Sequence, residues 1–479
     1  MNYKIDKTEF EAFAVSGIEL NKNDNIDLCV QRVTQKTGEN FLDDRAEFYK
    51  KELQFDSEFI DAFKNIATIC NSESQKCSVC PVSKYCNAFI MNAREDVSEN
   101  ALKIIDLFCG AGGLSLGFTQ EGFITSLAND IQDCCVDTYA HNHPETPRDH
   151  IVLGDINDVV DHLEALLAGR KVDVVVGGPP CQGFSMANRQ RLIDDPRNHL
   201  YNSYVEVVKK VNPRFFVMEN VKGMLSVAEQ VKEDFINIGY TVECHILNAK
   251  DYGVPQNRER LIYIGNRIGI DNESIFREIF ALSKNIPEHT LGDALFGLRK
   301  LQASRVRNST EEGSPECGYK IEKKLVTDVN EYITYINQGR IIKTVANHKA
   351  RYNNDRDIEI YGRMEPGDRS DDPKIADIMP YARRNDIFKD KYFKLDNNKV
   401  CKTITAHMKF DCNMYIHPNQ ARGLTPREAA RVQSFPDDYF FRGVYTKTYM
   451  QIGNSVPPLL GRAIAQVIKG HLIIHSERI

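Results

Sequence analysis

The sequence contains no apolar run long enough to cross a lipid bilayer, and its first ten residues, MNYKIDKTEF, do not form a signal peptide. These absences argue against a membrane or secreted protein, so we expect a cytoplasmic chain. The sequence also lacks a strong excess of one charge, since its formal net charge is −6 over 479 residues. With 42% hydrophobic and 27% charged residues, its composition is that of a globular protein of two or three domains.

The small net charge is unevenly distributed along the chain. Residues 1–100 carry 12 Lys+Arg and 18 Asp+Glu, whereas residues 101–479 carry 49 of each. The acidic excess therefore belongs to the N-terminal segment, and the rest of the chain is balanced. Contact with a nucleic acid would then depend on local basic patches rather than on a global electrostatic field.

Thirteen cysteines in a chain without an export signal argue against a disulfide framework and favour thiol or metal chemistry. Four of them, Cys70, Cys77, Cys80 and Cys86, follow a helical pattern with the spacing C-x6-C-x2-C-x5-C. Such thiols can converge on a [4Fe–4S] cluster or on a tetrahedral zinc ion, and spacing alone does not separate the two. Four unligated cysteines are the alternative. We interpret residues 1–91 as a small helical cysteine-cluster module.

A central stretch combines a strand pattern with a cysteine. The β-branched run Val172–Val176 predicts a buried strand, which the sequence Gly177-Gly178-Pro179-Pro180 must end, and Cys181 follows directly. A thiol in a loop just past a buried strand lies where α/β enzymes place their chemistry, so Cys181 is a candidate nucleophile. The ordinary alternative for a free cysteine is a small buried hydrophobic residue.

A glycine-rich turn lies upstream of this stretch. The strand pattern Leu102–Phe108 leads into the sequence CGAGG at residues 109–113, and a helix is predicted from Leu114. Glycines at a strand-to-helix turn let a cofactor approach the backbone, and the carboxylates of Asp130 and Asp155 follow the next two predicted strands. The turn lacks regular G-x-G-x-x-G spacing, and by itself it does not distinguish a nicotinamide dinucleotide from S-adenosylmethionine.

Five motifs occur in a fixed order: DLFCGAGGLSLGF at 106–118, PPCQ at 179–182, ENV at 219–221, QNRER at 256–260 and GNSVP at 453–457. Together they resemble the DNA (cytosine-5)-methyltransferases over residues 103–267 and 400–475. The resemblance implies a class I S-adenosylmethionine-dependent methyltransferase fold, which is a doubly wound, mostly parallel α/β sheet with an inserted target-recognition domain. It divides the chain into a cofactor-binding catalytic domain at 101–267, a target-recognition domain at 268–400 and the C-terminal part of the catalytic domain at 401–479.

The resemblance also implies roles for individual residues. Cys181 would add to C6 of a cytosine flipped out of duplex DNA, while Glu219 engages N3 and Arg260 engages O2. Arg258 would face the same way as Arg260 on an extended strand, and we assign it to the catalytic group as well. The implied cofactor-binding residues are Phe108, Gly110, Ala111, Gly112, Gly113, Leu114, Asp130, Ile131, Asp155, Ile156, Pro180, Leu200, Asn454 and Ser455.

Residues 268–419 contain none of the catalytic motifs. From Arg340 to Lys409, 16 basic residues stand against 11 acidic ones, in a turn-rich sequence. In the resembled family this region selects the DNA sequence, and a solvated insert with an ordinary charge mixture is the alternative. The expected substrate is double-stranded DNA with a specific recognition sequence, and a cognate restriction endonuclease is an expected partner. A transfer-RNA methyltransferase and a DNA-binding module with a degenerate methyltransferase fold are the competing interpretations.

Three further elements are predicted towards the C-terminus. The apolar, β-branched segment Thr403–Met408 predicts a strand that returns to the catalytic domain. Thr425 as N-cap, with Pro426 and Glu428 behind it, predicts the start of a helix. A long last helix is predicted over Pro458–His471.

The N-terminal cysteine spacing is similar to the cluster loop of the endonuclease III family of DNA glycosylases. Asp27, in the sequence IDLCVQRV, lies in a segment that resembles the one carrying the catalytic aspartate of that family. The chain has no recognisable helix-hairpin-helix and no catalytic lysine within one. The resemblance therefore implies a [4Fe–4S] module, favoured over zinc, that serves structure or docking rather than glycosylase chemistry.

Overall fold

The computed structural model describes residues 101–180, 198–307, 313–322, 328–340, 342, 345–380 and 390–476. The cysteine module and Cys181 lie outside these residues, and the predictions made for them stay predictions.

The described residues form the following elements. The strands are β1 (Lys103–Leu107), β2 (Ile124–Asp130), β3 (Ile151–Leu153), β4 (Val174–Gly177), β5 (Phe215–Asn220), β6 (Thr241–Asn248), β7 (Gln256–Asn257), β8 (Glu259–Asn266), β9 (Ile321–Glu322), β10 (Val345–Ala346) and β11 (Cys401–Lys402). The helices are α1 (Gly113–Gln120), α2 (Asp133–Asn142), α3 (Ile156–Asp161), α4 (Leu163–Leu167), α5 (His199–Val211), α6 (Ala228–Ile236), α7 (Asn272–Ser283), α8 (Leu291–Leu295), α9 (Glu331–Ile336), α10 (Asp355–Arg363), α11 (Pro426–Val432), α12 (Tyr445–Asn454) and α13 (Pro458–Ser476). Short 3₁₀ helices lie at Arg148–His150, Lys222–Val227, Ala249–Tyr252, Pro373–Ile375, Ala406–Lys409 and Asn413–Tyr415.

The main sheet has seven strands in the order β3-β2-β1-β4-β5-β8-β6. Strands β3, β2, β1, β4 and β5 pair in parallel, whereas β8 runs antiparallel to both of its neighbours. The carboxyl ends of β1, β4 and β5 therefore meet at one edge, where ligands bind in open α/β sheets. This arrangement confirms the predicted doubly wound, mostly parallel sheet.

Alternating residues of the central strands pack against helices on opposite faces. On one face, Ile104 belongs to a core with α1, α7 and α13, and on the other, Ile105 belongs to a core with α3, α5 and α6. The strand residues at 174–177 and 215–218 are fully buried because both faces are covered. This explains why their sequences are continuous apolar runs.

The region between the two catalytic segments contains two kinds of packing. Buried residues of α7, α8 and α9, such as Ile275, Leu291 and Ile333, belong to the main hydrophobic core. A separate small core is formed by Ile360, Tyr361, Met364, Ile375, Met379, Tyr392 and Ile416. Residues of the insert therefore pack partly on the main core and partly in a core of their own.

Local predictions in the C-terminal part are confirmed in two cases and wrong in one. Thr425 and Glu428 form the predicted capping box at the start of α11, and the last helix extends to Ser476. The predicted strand Thr403–Met408 is wrong, because β11 covers only Cys401–Lys402 and a 3₁₀ helix occupies Ala406–Lys409. Close packing of Thr405 and Ala406 against Gly453 leaves no partner strand at this place. Among the described residues, no helix is long and apolar enough to cross a membrane.

Candidate active site

A cavity of about 650 Å³ opens at the carboxyl ends of β1, β4 and β5. It is lined by the ends of these strands, by the start of α1, by the loop after β2 and by residues 450–456. Its lining includes the predicted catalytic residues Glu219, Arg258 and Arg260 and most of the predicted cofactor-binding residues. The structure therefore brings both groups to a single space.

Glu219 and Arg260 form an ion pair in the cavity wall. Arg260 Nε lies 2.7 Å from Glu219 Oε1, and the side chains are 15% and 13% exposed. Glu219 lies near the end of β5, and Arg260 lies on β8, which pairs antiparallel with β5. The pairing of two central strands therefore holds a carboxylate and a guanidinium side by side at the sheet edge.

The same carboxylate contacts the loop that leads to Cys181. A Cβ atom on residue 178 would lie only 2.8 Å from Glu219 Oε2, so glycine is needed there for this approach. The next residue of β5, Asn220, donates a hydrogen bond from Nδ2 to the carbonyl oxygen of Pro179 at 2.9 Å. Pro180, the last described residue before Cys181, is exposed and lines the cavity.

Asp130 lines the cavity at the end of β2. Its Oδ2 accepts a hydrogen bond from the Gly110 amide at 2.9 Å, and its Oδ1 accepts one from the Gln132 amide at 2.8 Å. These bonds fix the carboxylate, yet each of its oxygens can accept a further hydrogen bond. Burial raises the pKa of Asp130 above its usual value.

Other predicted cofactor residues surround Asp130. Ile131 is 62% exposed and lines the cavity, so it presents an apolar surface suited to a flat ring. Asp155 caps α3 through a 2.8 Å hydrogen bond from the Asn157 amide to Oδ1. Phe108 has a positive φ of 56°, a conformation that L-residues rarely adopt. Phe108, Gly110, Gly113, Leu114, Asp130, Ile131, Asp155, Ile156, Pro180, Leu200, Asn454 and Ser455 all line the cavity.

Ala111 and Gly112, also predicted to bind cofactor, pack behind the turn instead of lining the cavity. The carbonyl oxygen of Ala111 accepts a hydrogen bond from the Tyr439 hydroxyl. Gly112 has φ of 82°, and a Cβ atom there would lie 2.9 Å from atoms of Tyr139, His143 and Tyr439. These two residues shape the turn from behind, where three aromatic rings support it.

Arg258 lines the cavity together with Arg260, but its guanidinium is bound to main-chain carbonyls. It lies between β7 and β8, and its side chain is 1% exposed. Its Nη1 donates to the Ile404 carbonyl at 2.6 Å, and its Nη2 donates to the carbonyls of Gly453 and Ser455 at 3.0 and 2.9 Å. The guanidinium thus joins segments of main chain, and burial lowers its pKa to about 9.

Asp106 is a buried carboxyl group beneath the glycine-rich turn. It accepts a hydrogen bond from the Ser115 hydroxyl of α1, which itself accepts one from the Tyr139 hydroxyl at 2.9 Å. Burial raises the pKa of Asp106 to about 7. This chain of hydrogen bonds holds α1 against β1 and α2 behind the cavity.

Several residues of the cavity wall are not predicted from the sequence. Asn129, Asn220, Met450 and Gln451 line it although no role was assigned to them. Asn220 and Gln451 stand within or beside recognised motifs, which was a usable signal. Tyr439 supports the turn from far along the chain, and no local pattern indicates this contact.

The cavity lining contains groups of the kind that bind the nucleoside part of a cofactor. The lining comprises a fixed carboxylate at Asp130, an exposed apolar side chain at Ile131 and main-chain groups of a glycine-rich turn. The remaining volume is bounded by the Glu219–Arg260 pair, which suits the polar edge of a heterocycle. A doubly wound sheet with this cavity at its strand ends is consistent with a class I methyltransferase fold.

Comparisons with known proteins agree with this class. The sequence profile of the C-5 cytosine-specific DNA methylase family matches residues 102–470. The Type II methyltransferase M1.HphI of Haemophilus parahaemolyticus is 37% identical over 378 residues, covering 77% of this chain and 87% of the relative. The Type II methyltransferase M.DdeI of Desulfomicrobium norvegicum is 34% identical over 394 residues, covering 77% of this chain and 88% of the relative.

A solved structure supports the same fold. A putative DNA modification methyltransferase encoded within a prophage (E. coli) superposes with a TM-score of 0.58 at 27% sequence identity, covering 78% of this chain and all of that chain. The chain therefore belongs to the C-5 cytosine-specific DNA methylase family, and it is a DNA cytosine methyltransferase.

Proposed function

We propose that the protein transfers a methyl group to C5 of a cytosine in a specific double-stranded DNA sequence, as the modification enzyme of a restriction-modification system. The observation that carries this proposal is the Glu219–Arg260 ion pair in the wall of the cavity, in contact with Gly178 of the loop that continues into Cys181. The relatives M1.HphI and M.DdeI are Type II methyltransferases, which supports the modification role and a cognate endonuclease as partner.

The proposed chemistry begins with the thiolate of Cys181. Its addition to C6 of cytosine moves the C5–C6 π electrons onto C5, which becomes nucleophilic. Glu219 engages N3, and Arg260 engages O2, where negative charge develops. After C5 has gained the methyl group, a base removes the C5 proton, and the electrons of that bond restore the double bond as the thiolate leaves. The cytosine must leave the helical stack for its ring face to be reached.

S-adenosylmethionine would be held by the predicted cofactor-binding residues that line the cavity. In the proposed arrangement, Asp130 accepts hydrogen bonds from the ribose hydroxyls, Ile131 packs on adenine, and Asp155 accepts from the adenine amino group. Phe108 and the Gly110 main chain enclose the methionine part, and residues 453–455 close the rim. When bound, this cofactor supplies an electrophilic methyl group on its sulfonium.

Recognition of the DNA sequence is assigned to the insert between the catalytic segments. Its small hydrophobic core around Ile360 and Tyr361 would support recognition loops independently of the main sheet. Phe410, which is exposed at the end of a 3₁₀ helix near this core, offers an apolar contact for DNA. Arg351 donates to the Phe410 carbonyl at 3.0 Å and would hold this segment in place.

The four cysteines at 70, 77, 80 and 86 are proposed to bind a [4Fe–4S] cluster that stabilises the N-terminal module. The support is their spacing and its similarity to the glycosylase cluster loop. Among the residues that the structure describes, no group of His, Cys, Asp or Glu side chains is arranged to hold a metal ion.

Bisulfite sequencing of DNA from cells that express the protein tests the proposed function. We expect one recurring sequence with a protected cytosine, absent from cells that express Glu219→Gln. Unprotected DNA from cells with abundant, folded wild-type protein would contradict the proposal.

A further inference from the structure

Three chain segments meet at the side chain of Arg258, and we call this meeting place the junction. It comprises residues 255–258 after β6, residues 401–406 at the return from the insert, and residues 451–456 at the rim of the cavity. β7 pairs in parallel with β11, which joins the first two segments. The third packs so closely on the second that a Cβ atom at Gly453 would overlap the main chain of Thr405 and Ala406.

The guanidinium of Arg258 holds the second and third segments at once. One terminal nitrogen donates to Ile404, and the other donates to Gly453 and Ser455. Its planar fork matches this arrangement, which the single nitrogen of a lysine cannot reproduce. The guanidinium therefore links residues 401–406 directly to residues 453–455.

Polar side chains on the first segment reinforce this link. Gln256 accepts a hydrogen bond from the Ile404 amide at 2.7 Å and donates to Gln433 at 2.8 Å. Gln433 in turn donates to the carbonyl of Ile452 at 2.6 Å. The hydroxyl of Thr403 donates to the Asn257 carbonyl at 2.6 Å, at a more exposed position. The bonds through Gln256 and Gln433 connect the return from the insert to the rim of the cavity, and the Thr403 bond joins the first two segments.

We propose that Arg258 is a positioning residue that couples DNA contact by the insert to cofactor binding at the rim formed by residues 453–455. This inference rests on the proposed function, since it assigns DNA to the insert and S-adenosylmethionine to the cavity. Because coupling between two ligands is reciprocal, cofactor binding should strengthen or weaken DNA binding by the same factor.

The test measures the Kd of S-adenosylhomocysteine by calorimetry with the full chain. It is measured without DNA and with a duplex oligonucleotide that contains a site methylated by the wild-type protein. The wild type should give two Kd values that differ from each other by at least about tenfold. In Arg258→Lys the ratio should move towards one by about tenfold.

Arg427→Lys is the matched control. Arg427 is also fully buried and donates to three carbonyls, those of Ala346, Pro436 and Tyr439, but it does not touch the junction. It should lose stability and keep the wild-type ratio. A wild-type ratio of one, an unchanged ratio in Arg258→Lys, or an equal loss in Arg427→Lys would each overturn the inference.

A second variant covers failure of Arg258→Lys to fold. Thr403→Val removes only the more exposed hydrogen bond of the junction, and its ratio should move towards one by about threefold. A folded Thr403→Val with the wild-type ratio would then overturn the inference. Absence of any methylated site for the wild type would instead refute the proposed function itself, so the two failures are distinguishable.

Discussion

Arg260 Nε and Glu219 Oε1 are 2.7 Å apart at the edge where β5 and β8 pair. The two side chains are held by neighbouring strands of the rigid central sheet, so their geometry is set before any substrate binds. A preorganised carboxylate and guanidinium stabilise charge that develops on a bound ring without reorganising during the reaction. This pair, rather than either residue alone, is the unit on which the proposed chemistry depends.

The contact between Gly178 and Glu219 gives the first prediction. In Gly178→Ala the new Cβ atom would lie 2.8 Å from Glu219 Oε2 and would push the carboxylate aside. Because the displaced atom ends a flexible side chain, the fold should persist, while the methylation rate falls by about 10²-fold. Steady-state assays with tritiated S-adenosylmethionine measure this rate. Gly223→Ala is the control, since a Cβ atom there meets nothing within 4 Å, and equal rates in the two variants would contradict the prediction.

Asp130 gives the second prediction. In Asp130→Asn one carboxylate oxygen is replaced by an amide group that cannot accept hydrogen bonds, so binding to ribose should weaken. We expect the Kd of S-adenosylhomocysteine to rise by about 10- to 100-fold in calorimetric titrations. Asp133→Asn, an exposed position on α2 outside the cavity wall, should bind like the wild type. Wild-type affinity in Asp130→Asn would remove Asp130 from the cofactor site.

Asp106 gives a prediction about pH. Burial raises its pKa to about 7, whereas an unfolded aspartate titrates near about 4. The bound proton therefore stabilises the fold fully below about pH 4, and this contribution is lost as the pH rises through about 7. The side chain introduced by Asp106→Asn cannot ionise, so this variant should not lose that stability as the pH rises. The difference in free energy of unfolding, variant minus wild type, should therefore be about 2–3 kcal/mol larger at pH 8 than at pH 5.

Denaturant unfolding followed by circular dichroism at the two pH values measures this difference. Any pH-independent effect of the substitution cancels, because the same variant is compared with the wild type at both values. A relative stability that does not change between pH 5 and pH 8 would show that Asp106 does not titrate in this range.

The central sheet was predictable because its strands are buried on both faces. Runs such as Val174–Val176 and Phe215–Met218 are continuous and apolar, and the structure places strands at Val174–Gly177 and Phe215–Asn220. The segment Thr403–Met408 also contains apolar and β-branched residues, yet it forms no strand. Its conformation is determined by contacts with Gln256, Arg258 and Gly453, which lie about 50 to 150 residues away in sequence and leave no local pattern.

The candidate site was predictable where a residue type is tied to its chemistry. Glu219, Arg260 and Asp130 all reach the cavity as expected. The contacts of Arg258 could not be read from alternation along the chain, because its partners Ile404, Gly453 and Ser455 lie far away in sequence. Gly110 lines the cavity, whereas Gly112 packs behind the turn against Tyr139 and Tyr439. This difference could not be predicted, because only the tertiary fold brings the two tyrosines together.

The cysteine module gives a prediction about metal. Protein purified without oxygen should be brown and contain about four irons and four sulfides per chain. Cys77→Ser should lose the colour, whereas Cys244→Ser, on strand β6, should keep it. Elemental analysis and absorption spectra measure both. Stoichiometric zinc without iron would refute the cluster and retain a structural metal, and a metal-free protein with four alkylatable thiols would refute both.

Trapping of a covalent adduct tests the central claim most directly. A duplex with 5-fluorocytosine throughout, incubated with the protein and S-adenosylmethionine, should form an adduct that survives denaturing electrophoresis, because fluorine cannot leave C5 as a proton does. Peptide mass spectrometry should place the bond on Cys181, and Cys181→Ser should give no adduct while retaining its affinity for S-adenosylhomocysteine. The absence of an adduct, when the unfluorinated duplex is methylated, or an adduct that persists in Cys181→Ser, would contradict the mechanism.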